Sequence, residues 1–281
     1  MTADVFAIVL GAALVHATWN ALVKADSDRL GSIQVMAVTQ LLLSFVLLPF
    51  VAPPAIESWP YVLANTVLTT SYTLLLERAY RSGELSLVYP LARGVAPLLV
   101  AAVSIGLLGE RLDALGQAAV LLIALGVTSL ALAHGAAGLR DRRAVLLSLA
   151  TGAFIATYTI VDGFGARAAG TANGYMVWIS LLSSATIAAT TRVLRNRRGA
   201  PPLRRTRHSG IAAGLLSYGA SWLVIWALTI APIPLVSALR ETGMVFAVVI
   251  GVIFLNERLS LLRLASIAAT LIGTALLKIS R

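Results

Sequence analysis

Residues 85–94 read Leu85-Ser86-Leu87-Val88-Tyr89-Pro90-Leu91-Ala92-Arg93-Gly94, and the apolar stretch they open closes on Leu108-Gly109-Glu110-Arg111-Leu112. The same pattern returns later in the chain. Arg93, Leu108, Glu110, Arg111, Leu112, Leu115, Ala118, Gly126 and Leu130 correspond to Arg240, Leu255, Glu257, Arg258, Leu259, Leu262, Ala265, Gly273 and Leu277, each pair 147 positions apart. An arginine at the centre of a lipid-spanning helix costs roughly 2.5–3.5 kcal/mol, so its recurrence inside two apolar stretches argues for purpose. Internal repeats with ionisable groups near the midplane are the usual construction of a secondary transporter.

The surrounding composition fixes the solvent. Of the 281 residues, 58% are hydrophobic and 12% charged, with a mean hydropathy of +0.88. A soluble domain carries roughly 25% charged residues. With half that, a water-facing surface has no cover, and the expectation is an all-α integral membrane protein. The net charge of +10 does not indicate nucleic acid, because the arginines cluster between apolar stretches, as expected for anchoring to an anionic leaflet. There is no cysteine, which removes disulfides, thiolate catalysis and cysteine metal sites. The opening Met1-Thr2-Ala3-Asp4 has no basic region ahead of the apolar run, so the first stretch is expected to remain as a membrane helix. Arginine outnumbers lysine 20 to 2, a usage associated with high-GC bacteria, and the expected location is the bacterial inner membrane, crossed many times.

Crossing a hydrocarbon core of ~30 Å takes about 20 apolar residues. Stretches of that length fall near 5–23, 32–51, 61–80, 85–108, 113–133, 144–166, 173–194, 210–231, 233–255 and 260–278. Ten spans divide into two repeats, 1–139 and 140–281, of five each. Five is odd, so the second repeat must enter the bilayer upside down: two inverted five-helix repeats. Outside the spans, 16 of the basic residues lie in loops after odd-numbered spans and four on the opposite side. The positive-inside rule then puts the odd loops in the cytoplasm and both termini outside.

His16-Ala17-Thr18-Trp19-Asn20-Ala21-Leu22-Val23-Lys24, the run Arg78-Ala79-Tyr80-Arg81 leading into Leu85–Gly94, and the doubled Glu-Arg-Leu endings resemble EamA-type proteins of the drug/metabolite transporter superfamily. The resemblance covers essentially the whole chain. It implies ten helices around a central cavity and transport of small metabolites, and it leaves the substrate open. It also implies cytoplasmic termini, the reverse of the charge count.

Candidate substrate-binding residues follow from polar groups inside apolar stretches. Arg93, Arg240 and Glu241 come first. Arg240 and Glu241 together cost span nine about 6 kcal/mol, which some fifteen apolar residues barely return, so they must face protein or water. As sequence neighbours they point about 100° apart on a helix, and each needs another partner. A structural ion pair between helices is the alternative to a cavity-lining role. Asp162, late in span six, is a carboxylate for an arginine, a substrate amine or a proton, or else an interfacial helix-end residue. His16, Trp19 and Asn20 share one face of span one. Tyr72, Tyr89, Tyr158, Tyr218 and Trp222 offer hydrogen bonds and cation–π faces, or serve as interface anchors. Pro90 and Pro97 are expected to make a hinge of span four. Glu110 and Glu257 fit the N-termini of the spans that follow them. The ridges Ala118, Leu122, Gly126 and Ala265, Ala269, Gly273 suit tight packing, within the chain or between copies. His134 and His208 fall in loops, and no metal cluster or cofactor motif is evident.

The leading function is a secondary transporter for an amino acid or similar zwitterion or anion, working by alternating access with a proton or ion gradient. The expected partners are the lipid bilayer and a small-molecule substrate, with no nucleic acid, and the protein is expected as a monomer or homodimer. A proton-coupled exporter of cationic drugs or quaternary amines is the nearer alternative, weakened because span one has His16 and Asn20 but no central acid. An intramembrane enzyme is the remoter one: Asp162 lacks a second paired aspartate motif, and only His16 lies deep enough for a serine mechanism. A channel is disfavoured by the paired arginines.

Overall fold

Helices account for most of the described residues. The computed structural model describes residues 1–26, 28–82, 85–132, 141–199, 203, 207–255 and 260–280. Among them lie α1 (Ala3–Ala25), α2 (Arg29–Leu47), α3 (Trp59–Ser82), α4 (Leu85–Gly106), α5 (Ala114–Leu132) and α6 (Arg142–Ala168). They are followed by α7 (Ala172–Arg197), α8 (Arg207–Ile230), α9 (Ile233–Arg240), α10 (Gly243–Leu255) and α11 (Leu261–Ile279). Nine stretches among the described residues are long and apolar enough to cross a membrane, with α9 and the first part of α10 counting as one. The helix outside that set, α3, is 24 residues long but carries Asn65, Thr66, Thr69, Thr70, Ser71 and Thr73, which lower its hydropathy.

Short polar residues start the helices. Asp28 accepts from Gly31 N–H at 2.9 Å, Asp113 from Gly116 N–H at 2.8 Å, Asp141 from Arg143 and Ala144 N–H, and Thr171 from Gly174 N–H at 3.2 Å. Each satisfies donors that the first helical turn leaves without partners. At the end of α4, Gly109 adopts a φ of +70°, and this left-handed turn brings Glu110 N–H back to Ser104 O at 2.9 Å.

Helices of the first half pack chiefly on helices of the second: α5 on α11, α3 and α4 on α6, α1 and α2 on α8, and α2 on α7. The most extensive seam joins α5 to α11. A Cβ on Gly126 would sit 2.5 Å from Thr270 Oγ1, and one on Gly273 2.7 Å from Ile123 Cγ1. Ser129 and Ser266 are hydrogen bonded across it at 2.7 Å. Of the expected small-residue ridges, Gly126 and Gly273 lie in the seam, and at the other places the next residue along faces it. Ala119, Ile123 and Gly126 face Ser266, Thr270 and Gly273, while Ala118 and Ala265 are exposed. Small residues serve packing within the chain here. Outward faces are apolar, with Leu42, Phe45 and Val46 on α2 and Leu271 and Ile272 on α11 exposed, a surface suited to lipid.

The two ends of the bundle are tied separately. At the end bearing the α1–α2 and α7–α8 loops, Arg195 pairs with Asp28 and Ser209 donates to Asp26 at 2.7 Å. At the other, Arg167 pairs with Glu110 at 2.9 Å. Asn256, Glu257, Arg258, Leu259 and His134 lie outside the described residues.

Candidate substrate site

The site is built at a break in the ninth span. Expected as one helix, that span divides into α9 and α10 at Glu241 and Thr242. There the backbone tightens into three-residue bonding: Glu241 N–H to Ala238 O at 3.0 Å, Thr242 N–H to Leu239 O at 3.2 Å and Met244 N–H to Glu241 O at 2.9 Å. Thr242 Oγ1 also donates to Leu239 O at 2.7 Å. A threonine hydroxyl competing for the carbonyl of the preceding turn bends helices, and a tightened mid-helix turn is a common mark of a hinge. Gly243 follows, where a Cβ would lie 3.0 Å from Ala13 O on α1.

The break aims Glu241 into the protein. Its side chain is fully buried, with Oε2 2.8 Å from Arg93 Nε of α4 and Oε1 3.8 Å from Arg240 Nε. Arg93 is itself buried, at 3% exposure. Neighbouring charges on span nine thus find different close partners: Glu241 meets Arg93, while Arg240 Nη2 lies 3.4 Å from Tyr158 OH on α6 with its guanidinium 6.0 Å from the Tyr158 ring centre. Arg93 lies 5.6 Å from the centre of the Tyr89 ring, and Tyr72 packs edge-on against Tyr158 at 5.7 Å. His16 sits within electrostatic range of both guanidiniums and holds Trp19 edge-on at 4.8 Å. Trp19 Nε1 is buried and finds no hydrogen-bond partner among the described residues.

Of the candidate residues, His16, Trp19, Tyr72, Tyr89, Arg93, Tyr158, Arg240 and Glu241 therefore form one cluster from α1, α3, α4, α6 and the α9–α10 break. Asn20 shares the α1 face but turns its amide back to His16 O at 2.8 Å. Asp162 lies one turn beyond Tyr158 on α6 and within electrostatic range of Arg240. Its Oδ1 accepts from Asn65 Nδ2 at 2.6 Å and Tyr175 OH at 3.3 Å, and Ser183 donates to Asn65 Oδ1 at 3.0 Å. Asn65, Tyr175 and Ser183 were not singled out from sequence. The signal was present, since an asparagine within an apolar span needs a partner as an arginine does.

Tyr218 and Trp222 are placed elsewhere. Tyr218 is buried, with Ser44 Oγ of α2 3.4 Å from its hydroxyl. Trp222 packs against it at 5.9 Å and donates to Asn173 Oδ1 at 2.8 Å. Pro90 and Pro97 lie inside α4, which runs on through both, so the interruption falls on the span without the matching prolines. Glu110 does meet a helix N-terminus, but that of α9 in the other half of the chain: its Oε2 accepts Ile233 N–H at 3.1 Å. A cavity of about 310 Å³ adjoins that contact, lined by Glu110, Arg111, Arg167 and residues 229–232.

Two guanidiniums and one carboxylate in a mostly buried setting leave positive charge unbalanced, the condition for attracting a carboxylate or phosphate-like group. The tyrosine rings beside them present faces to an amine.

The EamA-like transporter family matches residues 142–279, which span α6 to α11. A solved crystal structure of a protein is 17% identical and covers 99% of this chain and 99% of its own, with a TM-score of 0.76; at that identity the likeness is one of fold. No curated protein sequence matches. Taken with the apolar helices and the repeated Glu-Arg-Leu endings, these findings show a multi-pass membrane protein and support an EamA-type transporter of the drug/metabolite transporter superfamily, the family match falling on its second half.

Proposed function

We propose that the protein is a secondary transporter that moves a small polar metabolite, an amino acid or similar zwitterion or anion, across the bacterial inner membrane by alternating access. The single observation carrying this reading is the cluster at the α9–α10 break, where Glu241 stands between Arg93 and Arg240 at 2.8 and 3.8 Å. Burying two guanidiniums in a membrane is costly. One carboxylate offsets one of them, and a substrate carboxylate offsets the other. Tyr158, Tyr72 and Tyr89 supply the ring faces for an amine, and Asp162 is a further carboxylate within electrostatic range of Arg240. In this reading the halves 1–139 and 140–281 are inverted repeats that rock about the cluster, and a proton or ion gradient supplies the energy.

Reconstitution into proteoliposomes tests it. Radiolabelled amino acids and small carboxylates are offered with and without a pH gradient, and saturable uptake is expected for at least one of them. Arg240→Ala is expected to abolish that uptake while the protein still folds. Wild-type uptake in Arg240→Ala would take Arg240 out of the site, and the absence of saturable flux for every amino acid and carboxylate would overturn the reading.

A further inference from the structure

The contact between Glu110 and Arg167 joins four pieces of the fold at one end of the bundle. Arg167, in the last turn of α6, donates from Nη1 to Glu110 Oε1 at 2.9 Å. Its Nε donates to Leu228 O at 2.9 Å and its Nη2 to Ala231 O at 2.8 Å. Those carbonyls sit at the C-terminal end of α8, where helical partners run out. Glu110, just past α4, takes Ile233 N–H on its other oxygen at 3.1 Å. Pro232 at the cap of α9 gives no side-chain bond and Pro234 has no N–H, so Glu110 is the carboxylate that caps this short helix.

The second end of α9 is the buried ion pair. Eight residues rise about 12 Å, and seven of them, Ile233–Leu239, are buried. The helix is therefore held to the α4 segment twice: by Glu110 at its N-terminus and by Arg93 through Glu241 at its C-terminus. Beyond Glu241 the chain is already broken, so α9 can tilt without carrying α10 with it. The cavity of about 310 Å³ beside Arg167 leaves room for the guanidinium to swing without displacing packed atoms.

We propose that Glu110 and Arg167 form a latch that closes this end of the bundle and, through α9, positions Glu241 against Arg93. Releasing the latch frees the N-terminus of α9, draws Glu241 from Arg93 and opens the guanidinium cluster to this face. Glu110 and Arg167 are positioning residues, acting on the site through a helix rather than by touching solute. The purpose of the latch rests on the transport reading, but its test needs no substrate.

The chain has no cysteine, so Ser237→Cys gives a single reporter near the middle of α9, where the serine is buried at 2% exposure and its hydroxyl finds no hydrogen-bond partner among the described residues. Oriented vesicles are treated with a membrane-impermeant maleimide from either face. In this background Glu110→Gln and Arg167→Gln are each expected to speed labelling from the Glu110 face roughly tenfold or more, the effect of losing a hydrogen bond between charged groups. Labelling from the opposite face stays unchanged. The exchanged pair Glu110→Arg with Arg167→Glu is expected to remain fast, because arginine cannot accept Ile233 N–H and glutamate cannot donate to Leu228 and Ala231 carbonyls. Wild-type rates in both single variants, an equal rise from both faces, or a return to slow labelling in the exchanged pair would each overturn the latch. Failure of the wild-type protein to move any solute would defeat the transport reading and leave the labelling asymmetry standing.

Discussion

Arg93 and Arg240 occupy matching positions of the sequence repeat, yet the spans that carry them are built differently. In the first half Gly94 follows the arginine, and α5 presses so close that a Cβ there would meet Thr128 Oγ1 at 2.1 Å and Thr128 N at 2.7 Å. In the second half the same position is Glu241, fully buried against Arg93. One half supplies a smooth surface for a neighbouring helix; the other supplies the counter-ion for both. The first span contains Pro90 and Pro97 and stays continuous. The second has no proline at those places and breaks beside its carboxylate. A missing N–H does not by itself decide where a membrane helix yields, because close packing by α5 and α6 can hold it. A buried carboxylate that must reach a partner, followed by a threonine that bonds backward and a glycine, does decide it here.

The sharpest way to break this contrast is to remove the counter-ion. Glu241→Ala leaves the Arg93 guanidinium buried without a near carboxylate, and stripping one partner from a buried pair costs about 3–5 kcal/mol. Thermal or denaturant unfolding in detergent should show a loss of that size. The double variant Arg93→Met, Glu241→Leu should recover part of it, since it removes the Arg93 charge together with its partner and leaves only Arg240 without the carboxylate at 3.8 Å. A single-variant loss below about 1 kcal/mol, the range of exposed pairs, would mean the two charges do not form a desolvated pair.

Gly94 carries the other side of the comparison. Gly94→Ala adds a Cβ against Thr128 N as well as its hydroxyl, and a backbone nitrogen cannot rotate away. The expected destabilisation is about 1–3 kcal/mol, the usual cost of overpacking. Thr128→Ala added to it should restore only part, because the backbone clash remains. The matching exchange on the other span, Thr242→Val, keeps the volume and removes the bond to Leu239 O, with an expected loss of about 1 kcal/mol and slower exchange of the amides around 241–244 if the break tightens into regular helix.

How much of this was legible beforehand depended on the kind of constraint. The spans were readable because hydrocarbon admits only helices with satisfied backbones, so apolar length and polar breaks mark them to within about one helical turn. The need for Arg93, Arg240 and Glu241 to find separate partners was readable too, since sequence neighbours diverge on a helix. Which partner each took was not, because Glu241 meets Arg93 where the span breaks, and Arg93 lies on a helix distant in sequence. In the α5–α11 seam Gly126 and Gly273 fall where expected, while the remaining ridge positions differ by one residue for a similar reason. A ridge of small residues fixes a helix face to within about 100°, while the neighbour chooses the register inside it. Asn65 was legible as a polar group inside an apolar span, but its partner Asp162, 97 positions away, was not, and Tyr175, 13 positions from Asp162 on the next helix, joins it only through the fold.

The smallest expected effect sharpens the contrast most, because it concerns the prolines expected from sequence to mark the hinge. Pro97→Ala gives α4 back an N–H that can bond Arg93 O, a gain of about 0.5–1.5 kcal/mol. It also returns freedom to the unfolded chain, a loss of about 0.4–1 kcal/mol. The terms nearly cancel, so unfolding should shift by less than about 1 kcal/mol in either direction. Pro90→Ala follows the same arithmetic. If the break at Glu241 is where the protein flexes, both variants should keep the saturable uptake of the parent protein. A variant that unfolds normally but loses uptake would move the hinge back to α4 and make the continuity of that helix a property of one state only.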